Sequence, residues 1–178
     1  GKIRAIEEKI SIKDYPDAEI INAKERLVTP GFVEPHCHMG VYETAAREGM
    51  DGNEYTNPTT PELRAIDAID PMDLAYDVAI RHGITTVVAG PGSANIIGGT
   101  FAAMKTHGNI LDKTLIKKEV CMKMALGENP KLSYGKRGKA PSTRMMSAAI
   151  MREELFKARE YYESFKEYGK SEDKSKGF

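Results

Sequence analysis

Apolar and polar positions along the chain predict a series of short strands separated by helices and turn-rich segments. Residues 3–6 alternate briefly and residues 18–21 are β-prone, with a turn at 22–24. The run 27–33 then leads into Glu34-Pro35-His36-Cys37-His38-Met39-Gly40, which predicts a buried strand over 32–38 with polar residues at its end. Residues 41–69 show no periodicity and contain Gly49, Gly52, Pro58 and Pro61. They predict a long loop, and loops of that length in folded domains are usually functional or disordered. A helix is predicted from Asp70-Pro71, with Asp70 as cap, Pro71 in the first position and Asp73 at the positive end of the dipole. Met72, Ala75, Val78 and Ala79 mark its apolar face, and Gly83 ends it.

The β-branched run 84–89 reads as a buried strand, followed by turns at 90–95 and at Gly98-Gly99. Residues 100–107 predict a short helix, and 120–126 alternate as a strand does. Segment 127–141, with its Gly, Pro and basic residues, predicts a loop. A final helix runs from Ser142 or Ser147 to Tyr168, with the stripe Met151, Leu155, Ala158, Tyr162 and Phe165. Residues 169–178 form a polar tail. The order of strands and helices predicts an α/β fold with a parallel sheet.

Composition narrows the function classes. The 178 residues carry 26 Lys plus Arg against 26 Asp plus Glu, a formal net charge of zero, so neither nucleic acid nor an anionic membrane has an electrostatic footprint to bind. The basic stretch 131–144 has only Tyr134 for base stacking and reads as a solvated loop. Two cysteines are too few for a disulfide framework. No apolar run approaches the ~20 residues of a membrane span, and a cytoplasmic protein acting on a small molecule is expected.

His36 and His38 carry the chemistry. Side chains at i and i+2 of a strand point to one side, so the two imidazoles project together while Cys37 points away. Imidazole pairs suit Zn²⁺ or Fe²⁺, and a catalytic zinc keeps three protein ligands plus a water. A pair of His-x-His residues alone is also compatible with ordinary packed or surface histidines.

The stretch LVTPGFVEPHCHMG, continued by ITTVVAGPGSAN, resembles the first part of the amidohydrolase superfamily, with Glu34 where Asp is commoner. GITTVVAGPGSANIIGG, MKMALGENPK and PSTRMM suggest the imidazolonepropionase-related branch. The resemblance implies a partial (β/α)8 barrel over residues 31–168, joined to part of a small β-sandwich over residues 1–30. It implies a hydrolase of non-peptide C–N bonds, amide or cyclic amide, in which water on a divalent metal is the nucleophile. Zinc is the first expectation and iron the second, with His36 and His38 as ligands. The later-strand histidines and the aspartate base of the family match nothing in this sequence. From His38 to the end there is room for about four βα units at roughly 31 residues each. The chain also opens inside a strand-like segment without an initiator Met. An N-terminal fragment, catalytically inert by itself, is therefore expected.

Further candidates are weaker. Lys123 is a conceivable ligand, since some superfamily members carry a carboxylated lysine, although a solvated or salt-bridged lysine explains it as well. His107 beside Gly108-Asn109 is a candidate for touching metal or substrate. His82 at a helix end is expected to bond the last carbonyls. Ser93 and Asn95 either bind substrate or serve a plain turn. The alternative function is a non-catalytic α/β or nucleotide-binding fragment using loop 90–95, whose Asn95 replaces the last Gly of a G-x-G-x-x-G fingerprint. Aromatic residues on the last helix suggest core packing or a homo-oligomer surface.

Overall fold

Pro35 bars a helix and Phe32 and Val33 favour extended backbone, so Phe32–Cys37 forms strand β1. The computed structural model describes residues 2–46 and 50–170 and separates into two units, Gly1–Pro30 and Gly31–Phe178. In the larger unit, helix α1 (Leu74–Arg81) lies between β1 and its parallel neighbour β2 (Ile84–Ala89). This β–α–β arrangement is the one the hydrophobic pattern predicts.

Beyond β2 the topology departs from that expectation. Strands β3 (Ile97–Thr100) and β4 (Ala102–Lys105) follow, then the one-turn helix α2 (Leu111–Thr114), β5 (Leu115–Lys117) and β6 (Met122–Met124). The main sheet has the order β1-β2-β4-β5 and β3 pairs with β6 apart from it. Only β1–β2 is parallel; β2–β4, β4–β5 and β3–β6 are antiparallel. No long helix separates these later strands, and short connections can join only antiparallel neighbours. The helix expected over 100–107 is strand β4 instead. Ala102, Ala103 and Met104 favour helix, but pairing on both sides with β2 and β5 overrides that preference.

One face of the sheet is covered by α1 and residues 65–69. Tyr76, Val87, Ala89, Ala102 and Met104 are buried together there, and Cys37 and Met39 pack against them. The helix is capped by Asp73 rather than Asp70, whose carboxylate turns back onto the Met72 amide at 2.9 Å. The buried residues of α1 are Tyr76 and Ala79, while Met72, ahead of the helix, and Val78 are exposed.

Segment 127–141 holds helix α3 (Glu128–Gly135), where a loop is expected. Pro130 sits in the first turn, where its missing N–H costs nothing. The helix is fixed by Tyr134, fully buried, whose single hydroxyl proton is shared between the carbonyls of Glu54 and Asn57, 2.8 and 2.7 Å away. Helix α4 (Arg144–Lys170) packs its start through Ser147, Ile150 and Met151, the last two against Ile96 and Ile97. Further along, the stripe expected in the core is exposed at Leu155, Tyr162 and Phe165. Among the described residues no helix is long and apolar enough to cross a membrane.

The smaller unit has no strand among its described residues; it has a 3-10 turn at Ile12–Asp14, a turn closed by the Ala18 amide on the Tyr15 carbonyl, and a turn in which the Asn22 side chain accepts from the Lys24 amide. Ile3, Ile6, Ile20 and Ile21 are exposed, so the alternation seen there has no hydrogen-bonded neighbour to make it a strand.

Asp73 joins helix to site. Its buried carboxylate accepts from Ala75 at 3.0 Å, Gly40 at 3.1 Å and Thr44 at 3.3 Å, tying the residues after His38 to α1. Burial pushes its pKa up, and the bonds from Ala75, Thr44 and Gly40 outweigh that, so the carboxyl titrates below its ordinary value. Its stability contribution is complete above the unfolded-chain pKa of about 4 and fades as pH falls through the lower folded value. Asp73→Ala leaves amides unsatisfied and is expected to cost about 2–4 kcal/mol by urea unfolding at pH 7, with a smaller cost at pH 3.

Candidate metal centre

The parallel pairing of β1 with β2 sets which way each side chain of β1 points. Cys37 turns toward the core, where burial pushes its thiol pKa up. His36 and His38 project from the opposite face. Their ring centroids lie 5.3 Å apart at an interplanar angle of 84°. Phe101, the single residue between β3 and β4, places its ring 5.4 Å from His36 and 6.4 Å from His38. Gly90 admits that ring, because a Cβ there would lie 2.4 Å from Phe101.

His38 is oriented through its inner nitrogen. Nδ1 lies 2.7 Å from the Gly90 carbonyl, so the tautomer that makes this bond carries its proton on Nδ1 and presents the Nε2 lone pair outward. Metal-ligating histidines are usually fixed by a partner on the other ring nitrogen in this way. On His36, Nε2 stands 3.2 Å from Lys123 Nζ. Glu34, on the same side of the strand, folds its carboxylate back to accept from the His36 amide at 3.0 Å.

Lys123 comes from β6, and its side chain is buried, with Nζ 5.7 Å from the Phe101 ring. Desolvation lowers its pKa. Desolvation also lowers that of His36, reinforced by Lys123 and then His38, against a contrary pull from Glu34. His36 and Lys123 thus converge beside His38 at a point where burial disfavours the protonated forms of the first two. This donor chemistry fits part of a divalent-metal site. Among the described residues no group of three His, Cys, Asp or Glu side chains completes one.

The other sequence candidates fall in different places. Ser93 lines a cleft beside His38, together with Tyr42, Asn53, Asn129 and Ser133. Asn95 is buried and structural: its Nδ2 donates to the Asn57 carbonyl at 3.0 Å and Thr60 Oγ1 at 3.1 Å, holding the long loop. His107 is exposed and lines a separate cleft with Asp73, Asp77 and Asn109, away from His36 and His38. His82 bonds the Val78 carbonyl at 2.8 Å, the helix-end role expected of it. Loop 90–95 leads into β3 rather than a helix, so it lacks the helix N-terminus on which a nucleotide phosphate would sit.

Phe101, Tyr42 and Asn53 escaped the sequence reading. Only the unusual length of segment 41–69 signalled that the last two belong to a functional region. Burial keeps the Tyr42 phenol protonated, with its pKa above the ordinary value, helped by nearby Tyr55 and opposed by Asn53.

The electrostatics can be checked directly. In an NMR titration of the metal-free protein, His36 is expected to titrate below 6.5. Lys123→Met should move its midpoint part of the way back up, because burial remains. An unmoved midpoint would show that Lys123 carries no weight there.

No family model matches the chain. It is 34% identical over 161 residues to the amidohydrolase tasK of Hapsidospora irregularis, covering 82% of this chain and 16% of that protein. The structure superposes on the crystal structure of an amidohydrolase from Thermotoga maritima with a TM-score of 0.87 and 38% identity, over 96% of this chain and 44% of that one. The chain thus spans less than half of either relative's length. Sequence and fold agree over nearly the whole of the described structure, and on that ground the chain belongs to the amidohydrolase superfamily.

Proposed function

We propose that the protein to which this chain belongs is a metal-dependent hydrolase of non-peptide C–N bonds, in an amide or cyclic amide. The observation that carries this reading is the pair of imidazoles at the end of β1, 5.3 Å apart between ring centroids, with His38 held by the Gly90 carbonyl. His36 and His38 are its metal ligands, for zinc or alternatively iron. A divalent cation there supplies Lewis acidity, polarising a carbonyl and bringing the pKa of a water toward about 7.

The chain's own residues do the rest of what can be assigned. Gly90 keeps His38 in one tautomer and one orientation. Phe101 walls the imidazoles and limits water beside them. Lys123, buried and with a depressed pKa, stands next to His36 as a further ligand candidate, its amine being of the kind that reacts with carbon dioxide to a carbamate. The general base and remaining ligands belong to other parts of the protein. In this reading residues 31–168 form part of a (β/α)8 barrel, and a partial β-sandwich involves residues 1–30.

Two tests follow. In the full-length protein, His36→Ala and His38→Ala should each remove about one or two metal equivalents by elemental analysis, with hydrolysis lowered at least about a thousand-fold. A metal-free protein with full activity would reject the reading. For the isolated chain, calorimetric titration should show only weak zinc binding, since two imidazoles fall short of the three protein ligands usual for catalytic zinc. Tight one-to-one binding accompanied by amide hydrolysis would contradict the assignment of the missing groups.

A further inference from the structure

The Gly90-Pro91-Gly92 turn and Gly52 have a use that a phosphate loop does not explain. A Cβ on Gly52 would lie 2.3 Å from the Tyr42 ring, and one on Gly92 would lie 2.4 Å from the Tyr42 hydroxyl. The two glycines thus form a seat for one phenol, from the long loop on one side and the turn after β2 on the other. The seated ring stands 5.4 Å from His38, edge to face at 84°.

Asn53 decides what the hydroxyl can do. Its Oδ1 accepts from the Ala94 amide at 2.9 Å, which fixes the amide's orientation. Its Nδ2 then donates to the Tyr42 hydroxyl oxygen. With that oxygen already accepting, the phenol proton is directed to another acceptor. The hydroxyl and His38 both border a cleft of about 370 Å³, whose other polar side chains include Ser93, Asn129 and Ser133. The lining side chains other than His38 are uncharged, so they offer a bound group hydrogen bonds rather than ion pairs.

We infer that Tyr42, seated between Gly52 and Gly92 and oriented by Asn53, donates a hydrogen bond to the carbonyl oxygen of an uncharged amide group bound beside His38. This rests on the hydrolase reading for why an amide is there, and it adds the class of substrate and the residue that recognises it. Tyr42 binds and aligns the carbonyl; Asn53 positions Tyr42.

The test uses the full-length zinc-loaded protein with 2-pyrrolidinone, a neutral cyclic amide, and 5-oxopyrrolidine-2-carboxylate, the same ring bearing an anionic group. Binding is followed by NMR shifts and by calorimetry. The neutral ring should bind more tightly than the anion. Tyr42→Phe keeps the ring in its glycine seat and should weaken 2-pyrrolidinone about ten-fold, with zinc content unchanged. Asn53→Ala should weaken it less, since the phenol keeps its proton but loses its orientation. Unchanged affinity in Tyr42→Phe, tighter binding of the anion, or no binding of the neutral ring up to about 100 mM would overturn the inference. Loss of affinity in Tyr42→Phe in a protein that proves to hydrolyse nothing would retain the amide site and discard the hydrolase. A zinc-dependent hydrolase indifferent to Tyr42→Phe would do the reverse.

Discussion

The pleat of β1, locked by its parallel pairing with β2, is the constraint on which the rest depends. It sends Cys37 into the core and both histidines to the opposite face. A slip of one residue would exchange those faces, burying two imidazoles against Tyr76 and exposing the thiol. The register is held at the strand ends as well. The Gly90 amide donates to the Cys37 carbonyl at 3.2 Å, and the Gly90 carbonyl faces His38 Nδ1. One residue just beyond β2 therefore both terminates the pairing and orients His38.

Around that strand, electrostatics explains why the nitrogen cluster is suited to a cation. Lys123 arrives from a separate two-stranded pair and is buried against Phe101 and His36. A carboxylate beside it would oppose the lowering of the lysine pKa that burial causes. Instead Glu34 spends its carboxylate on a backbone amide. Burial without a counter-charge favours neutral bases, and neutral bases are what a metal ion needs.

The long loop gains order from buried polar contacts rather than from an apolar stripe of its own. Asp73 gathers the amides of Gly40 and Thr44, Asn95 holds Asn57 and Thr60, and Tyr134 holds Glu54 and Asn57. Each is a buried group whose loss leaves a donor or acceptor unpaired. The loop is thereby rigid where it lines the cleft beside His38, with Tyr42 wedged between two glycines. Stability and recognition draw on the same residues, so the loop has little freedom to vary without cost to both.

Local pattern was enough to determine β1, α1, β2 and the shared face of His36 and His38, because period-2 and period-3.6 signals act over a few residues. It also determined the helix-end role of His82 and the turn at Asn22. Tertiary structure alone decided that residues 102–105 are strand, since two neighbouring strands outweighed a modest helix preference. It decided that Asp73 rather than Asp70 caps α1, because only Asp73 also meets Gly40 and Thr44. It brought Lys123 to His36 across 87 positions of sequence, and set Tyr42, Asn53 and Phe101 around the histidines. Contacts between residues so far apart in the chain leave no periodic trace, and they exist only once the strands have paired.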